Sequence, residues 1–147
     1  MRKIDLIVIH CSATRSNQRF TPQQLEAAHR KRGFRCCGYH FYITRDGEVH
    51  AMRPVEEVGA HALHFNRNSI GICYEGGLAP DGTPADTRTL EQKAVMRWLV
   101  LHLKELYPIK KVVGHRDLSP DLNGDGVISS DEWIKQCPCF NVAEEKW

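Results

Sequence analysis

Apolar and polar positions along this chain fall into three kinds of pattern, and each predicts a different element. The run Ile4-Asp-Leu-Ile-Val-Ile9 is almost continuously apolar, which predicts a strand over residues 4–10 buried on both faces and closed by His10. Ser69–Glu75 has the same character, and Lys111–Gly114 is a shorter version of it. His40–Arg45 and Glu48–Arg53 instead alternate about Asp46-Gly47, a strong hairpin signal. Helical spacing appears twice. Thr21 as N-cap, Pro22 at the first helical position and Gln24 closing a capping box predict a helix over 22–32, stopped by Gly33. Thr89 and Gln92 form a second box, after which Val95, Trp98, Leu99, His102 and Leu106 recur as an apolar face until Pro108. A brief helix is expected near Asp131–Gln136.

Strands interleaved with two long helices and one hairpin give an α/β fold: a central mixed sheet with α-helices packed on it, in one domain over residues 1–147. In such sheets ligand sites lie at strand ends, so the residues that close strands are the first candidates for chemistry.

Composition narrows the classes of function. Hydrophobic residues make up 41% and charged residues 26%, the balance of an ordinary soluble domain. A net charge of +2 gives no electrostatic support for a nucleic-acid partner. No apolar stretch is long enough to span a bilayer, and the run ending at His10 is too short and interrupted for a signal peptide. The chain is expected to be monomeric and cytoplasmic, or released to its site of action by another route; a leader upstream of these residues is left open. Six cysteines include the adjacent Cys36-Cys37, which does not suit a disulfide framework. Cys11 and Cys73 fall in expected strands as small apolar groups, so the thiols are read as mostly reduced.

His10 and His115 each close a strand-like run, and Cys137 stands in the turn-rich segment Lys135-Gln-Cys-Pro-Cys-Phe140. Two imidazoles and a thiolate would fill three corners of a zinc tetrahedron and leave the fourth open, the pattern of a catalytic rather than a structural site. With eight histidines in the chain, two at strand ends can be coincidence, and the residues alone leave convergence open.

Six segments in order carry a resemblance that covers residues 4 to 140: Val8-Ile-His-Cys-Ser-Ala-Thr14, Gly38-Tyr-His-Phe41, Gly59-Ala-His61, Asn68-Ser-Ile-Gly-Ile72, Gly114-His115 and Lys135-Gln-Cys-Pro138. Together they resemble the zinc-dependent N-acetylmuramoyl-L-alanine amidases of the phage-lysozyme type, which are related to peptidoglycan recognition proteins. The resemblance implies zinc on His10, His115 and Cys137, a catalytic tyrosine at Tyr39 and a catalytic lysine at Lys135. It implies hydrolysis of the amide between N-acetylmuramic acid and L-alanine in peptidoglycan; the alternative is a recognition module that binds muropeptides without cutting them. The Gly59-Ala-His61 segment matches a loop that lines the substrate cleft in similar proteins, which marks His61, and Asn66 and Asn68 are weighed with it as amide-binding side chains. Cys139 is the alternative thiolate. His40 is expected to be a hydrogen-bonded core residue, His102 a packed one, and His29 and His50 solvated surface.

Between His115 and Lys135 the chain is longer than the short-loop phage enzymes it resembles. The insert Asp121–Glu132 follows the twelve-residue calcium loop of an EF-hand. Asp121, Asn123 and Asp125 take positions 1, 3 and 5, Gly126 the turn at 6, Val127 the carbonyl at 7, Ser129 position 9 and Glu132 the bidentate acid at 12. The expectation is a structural Ca2+ beside a catalytic Zn2+.

Overall fold

The computed structural model describes residues 2–147. Five strands form the main sheet: β1 (Leu6–Cys11), β3 (Phe41–Ile43), β4 (Val49–Ala51), β5 (Ser69–Tyr74) and β7 (Lys111–Gly114). Their spatial order is β4-β3-β5-β1-β7. Only the β3–β4 hairpin is antiparallel, as the Asp46-Gly47 turn requires; β3, β5, β1 and β7 run parallel. Two short strands, β2 (Thr14–Arg15) and β6 (Gly77–Leu78), pair separately. The sheet is mixed, as the sequence pattern indicated.

β1 and β5 are buried at every position, because both faces of the sheet are covered. On one face Ile7, Ile9, Ile43, Ile70, Ile72 and Tyr74 meet the second helix, α2 (Leu90–Leu106), through Met96, Leu99, Val100 and Leu103. On the other, Leu25 of the first helix, α1 (Pro22–Lys31), packs on Tyr42 and Cys73, while Leu6 and Val8 meet Ala62 and Phe65. Successive strand residues face opposite sides. His10 therefore shares the α1 face with Leu6 and Val8, and the alternation that builds the core also aims the imidazole.

Both helices start as expected, with complete capping boxes at Thr21/Gln24 and Thr89/Gln92. Two expectations need correction. The buried face of α2 is Gln92, Met96, Leu99, Val100 and Leu103, whereas Trp98 and Leu106 are 57% and 60% exposed. His102 is likewise exposed and stacks on Trp98 with ring centroids 5.2 Å apart. Apolar side chains occur around most of this helix, so its own pattern does not choose a face and the sheet does. Gln92 is drawn inside because its Nε2 donates to the Ile43 and Glu75 carbonyls (3.2 and 3.0 Å) at the strand ends. The brief helix expected at Asp131–Gln136 is a single 3-10 turn at Ser130–Glu132, and the backbone is extended at Trp133.

Candidate metal centre and active-site cleft

Ile9 of β1 pairs with Gly114 of β7 in parallel register, so the next residues of the two neighbouring strands are His10 and His115. Their ring centroids lie 4.6 Å apart. The third member arrives from the C-terminal segment, which is fastened to the sheet at several points. The Tyr74 hydroxyl donates to the Pro138 carbonyl (2.6 Å), the Arg116 amide to the Cys137 carbonyl (2.9 Å), and the Cys11 amide to Cys137 Sγ (3.2 Å). Gly114 permits this approach: a Cβ there would stand 2.7 Å from Pro138 Cδ. One metal-capable atom from each of His10, His115 and Cys137 falls within 4.8 Å of the others. Cys139 does not join them; its sulfur lies 3.9 Å from that of Cys11.

The protonation states suit a cation. Burial, followed by the neighbouring His61, His115 and Lys135, pushes the His10 pKa well below the ordinary imidazole value. Burial and then Lys135 bring His115 down to about 4. Both rings are thus neutral near neutral pH, the form that ligates a metal.

His115 and Cys137 line a cleft of about 880 Å³ together with Tyr39, His61, Lys135 and Asn66, and His10 is buried beside them. Tyr39 stands with its ring centroid 4.8 Å from that of His10. Burial is the main reason its pKa lies well above the usual phenol value, so it stays protonated and able to donate. Tyr39 and His40 occupy bends just before β3, and both rings approach that of His61, with centroids 6.4 and 5.8 Å away. His40 is fully buried; its Nδ1 accepts from the Gly71 amide (3.0 Å) and its Nε2 donates to the Glu57 carbonyl (2.8 Å).

His29 was expected at the surface and is 6% exposed. Its Nδ1 accepts the Gly38 amide at 2.8 Å and its ring lies 5.3 Å from that of Tyr39, so α1 steadies the catalytic-tyrosine candidate through this residue. The signal was present in the sequence: Leu25 and His29 are four residues apart and share the buried face of α1.

The candidate substrate contacts divide. His61 lines the cleft, but its Nδ1 is 2.9 Å from His10 Nε2. The Asn66 side-chain oxygen accepts from both the His61 and Ala62 amides (2.9 Å each), which fixes the loop. Asn68 is turned out of the cleft lining, its Nδ2 donating to Asp5 Oδ1 at 2.8 Å.

Carboxylate oxygens of Asp121, Asp125 and Glu132 in the insert also come within 4.8 Å of one another. The loop is drawn in by its own amides: Gly124 and Gly126 donate to Asp121 (3.0 and 2.7 Å), Asp125 to Asn123 (3.1 Å), Val127 to Asp125 (2.9 Å) and Ser129 to Glu132 (3.0 Å). Gly126 adopts φ +81°, the left-handed turn that favours glycine at this place. No helix among the described residues is long and apolar enough to cross a membrane.

Comparison with known proteins agrees with this geometry. The profile of the N-acetylmuramoyl-L-alanine amidase family matches residues 1–138. The endolysin of Escherichia phage T7 is 33% identical over 143 residues, covering 97% of this chain and 84% of that protein. A peptidoglycan-recognition protein of Drosophila melanogaster is 35% identical over 126 residues, covering 78% of this chain and 65% of that protein. Among solved structures, the N-acetylmuramoyl-L-alanine amidase LysC from Clostridium intestinale URNW superposes with a TM-score of 0.72 at 28% identity, covering 95% of this chain and 79% of that one. A mixed sheet that brings two strand-terminal histidines to a cysteine, under a family profile that spans the sheet and this cysteine, places the chain in the N-acetylmuramoyl-L-alanine amidase family.

Proposed function

We propose that this protein is a zinc-dependent hydrolase of the amide between N-acetylmuramic acid and L-alanine in peptidoglycan. The observation that carries the reading is the convergence of one ligand atom each from His10, His115 and Cys137 within 4.8 Å. The donor set fits the ion: two neutral imidazoles and a thiolate suit zinc, and three protein ligands leave a coordination position for the reaction. Zinc held there would polarise the amide carbonyl and make a water nucleophilic near neutral pH.

The remaining work falls to the chain's own residues. Lys135 is two residues from Cys137 and lines the same cleft, which suits its ammonium to stabilise the carbonyl oxygen as negative charge develops. The Tyr39 phenol, kept protonated by burial, is a hydrogen-bond donor beside His10 that can steady the same developing charge.

The calcium reading belongs to the same proposal. A Ca2+ held by Asp121, Asn123, Asp125, the Val127 carbonyl, Ser129 and Glu132 would neutralise an exposed acidic loop that runs directly into Lys135 and Cys137. The loop's exit is already fixed, because Arg116 lies 3.8 Å over the Trp133 ring and the Ile134 amide donates to Ser119 Oγ (3.0 Å). Calcium would extend that order across the insert.

Digestion of purified sacculi, with mass spectrometry of the new termini, tests the activity. A free L-alanine amine on the stem peptide is the expected product. Cleavage between the sugars would overturn the reading, and tight muropeptide binding with no new termini would replace hydrolysis by recognition. Elemental analysis of the protein purified without added metal tests for zinc at one ion per chain.

A further inference from the structure

We propose that His61 is a positioning residue for the metal centre, and that His10, His61 and Ser69 form one hydrogen-bonded relay that sets which nitrogen of His10 meets the metal. The inference rests on the zinc reading above and concerns a residue that the sequence assigns to substrate. His10 Nε2 lies 2.9 Å from His61 Nδ1, and His61 Nε2 lies 3.2 Å from Ser69 Oγ. The two rings meet edge-on, with centroids 4.9 Å apart and an interplanar angle of 87°.

A neutral imidazole has one N–H and one lone pair. A metal-bound ring must present the lone pair to the ion, so its other nitrogen carries the proton and needs an acceptor. His10 Nε2 is occupied by His61, which leaves Nδ1 for the metal. His61 must then receive at Nδ1, so its own proton is on Nε2 and is donated to the Ser69 hydroxyl. This arrangement gives each ring nitrogen of the pair a role with no proton shared or missing.

The surroundings are shaped for this ring. A Cβ at Gly71 would stand 2.7 Å from His61 Cγ, and one at Gly59 would stand 2.7 Å from His61 Cδ2. Both glycines leave the space the imidazole fills. Asn66 clamps the backbone on which the ring is mounted, and Ser69 is fully buried. Metal-bound histidines commonly lean on a carboxylate, which makes the ligand more basic. An imidazole backed by a hydroxyl orients His10 without adding negative charge, so the metal would keep more of its pull on a carbonyl.

The test compares zinc affinity, by competition with a chromophoric chelator, in the wild-type chain, H61L, H61N and S69A. The absorption spectrum of the cobalt-substituted proteins and circular dichroism are recorded for each. H61L removes the acceptor and is expected to weaken zinc binding by about 10–100-fold, with an altered cobalt spectrum. H61N places a carboxamide oxygen near the lost Nδ1 and should recover most of the affinity, a rescue that mere packing would not give. S69A should weaken binding by a smaller factor. The relay is overturned if H61L binds zinc as tightly as wild type, or if H61N is as weak as H61L. Should H61L fail to fold, S69A decides: unchanged affinity and spectrum would count against the relay. If the wild-type chain takes up no zinc, the metal reading itself falls; if wild type binds and H61L matches it, only the relay does.

Discussion

His10 and His115 leave neighbouring strands just beyond the Ile9–Gly114 rung, whereas residues 121–132 hold themselves together with amides donated to their own carboxylates. The first region takes its geometry from a core in which Ile7, Val8 and Ile9 are fully buried. Residues 121–127 are exposed throughout, and within the insert only Glu132, at 4% exposure, is buried. The difference teaches where each cation's work would lie. A metal site assembled on the sheet would be preorganised before its ion arrives, so the ion would add chemistry. A loop of mutually repelling acids would instead gain order from an ion, and that ion would act on the active site only through the chain leading to Lys135 and Cys137.

Breaking the sheet-borne site should give the largest effect. C137A is expected to lose stoichiometric zinc and reduce peptidoglycan hydrolysis to background while the far-ultraviolet circular dichroism stays native; retention of zinc by that variant would show that another group takes the third position. K135A should keep its zinc yet lose about 10²–10³ in turnover, the usual cost of removing one oxyanion donor. Turnover and metal content measured on the same sample separate these two roles.

Acid sharpens the contrast, because it strikes the histidine corner. Burial lowers His10 and His61 well below the usual value, His115 to about 4 and His40 to about 3. In each case the folded pKa lies below that of the unfolded chain, so between these values the unfolded state binds more protons and folding stability rises with pH. The metal-free protein should therefore melt at steadily lower temperature as pH falls from about 6.5 toward 4, as followed by thermal denaturation. A flat melting temperature over that window would contradict the buried, neutral state of these rings.

In the insert, D121A/E132A should abolish calcium dependence of hydrolysis and of thermal melting, with a loss of rate smaller than that of K135A. Isothermal titration with Ca2+ alone checks the site directly, and wild-type protein indifferent to calcium in all three measurements would end that reading. The smallest effect belongs to W98A on the exposed face of α2, expected to change stability by no more than about 0.5 kcal/mol in chemical denaturation.

Local chemistry was legible along the chain. The two threonine capping boxes, the Asp46-Gly47 hairpin and the buried character of β1 and β5 follow from side chains a few residues apart, and all are present. Side chains able to hold a metal could be picked out too, because few residue types do so, and the structure brings His10, His115 and Cys137 together. What stayed hidden depended on partners distant in sequence. Nothing in residues 90–106 says which side of a broadly apolar helix meets the sheet, so the position of His102 was misread. Nothing in Gly59-Ala-His61 says that this imidazole reaches His10.

The sequence by itself determined the elements, their capping and the kinds of side chain available for chemistry, since these depend on backbone propensity and short-range hydrogen bonds. Only the tertiary structure decided that the residues after Ile9 and Gly114 stand side by side, and that the thiol of Cys137 reaches them where Pro138 packs on Gly114. Strand register is set by how two apolar faces and distant loops fill space together, and that information is spread over the whole chain.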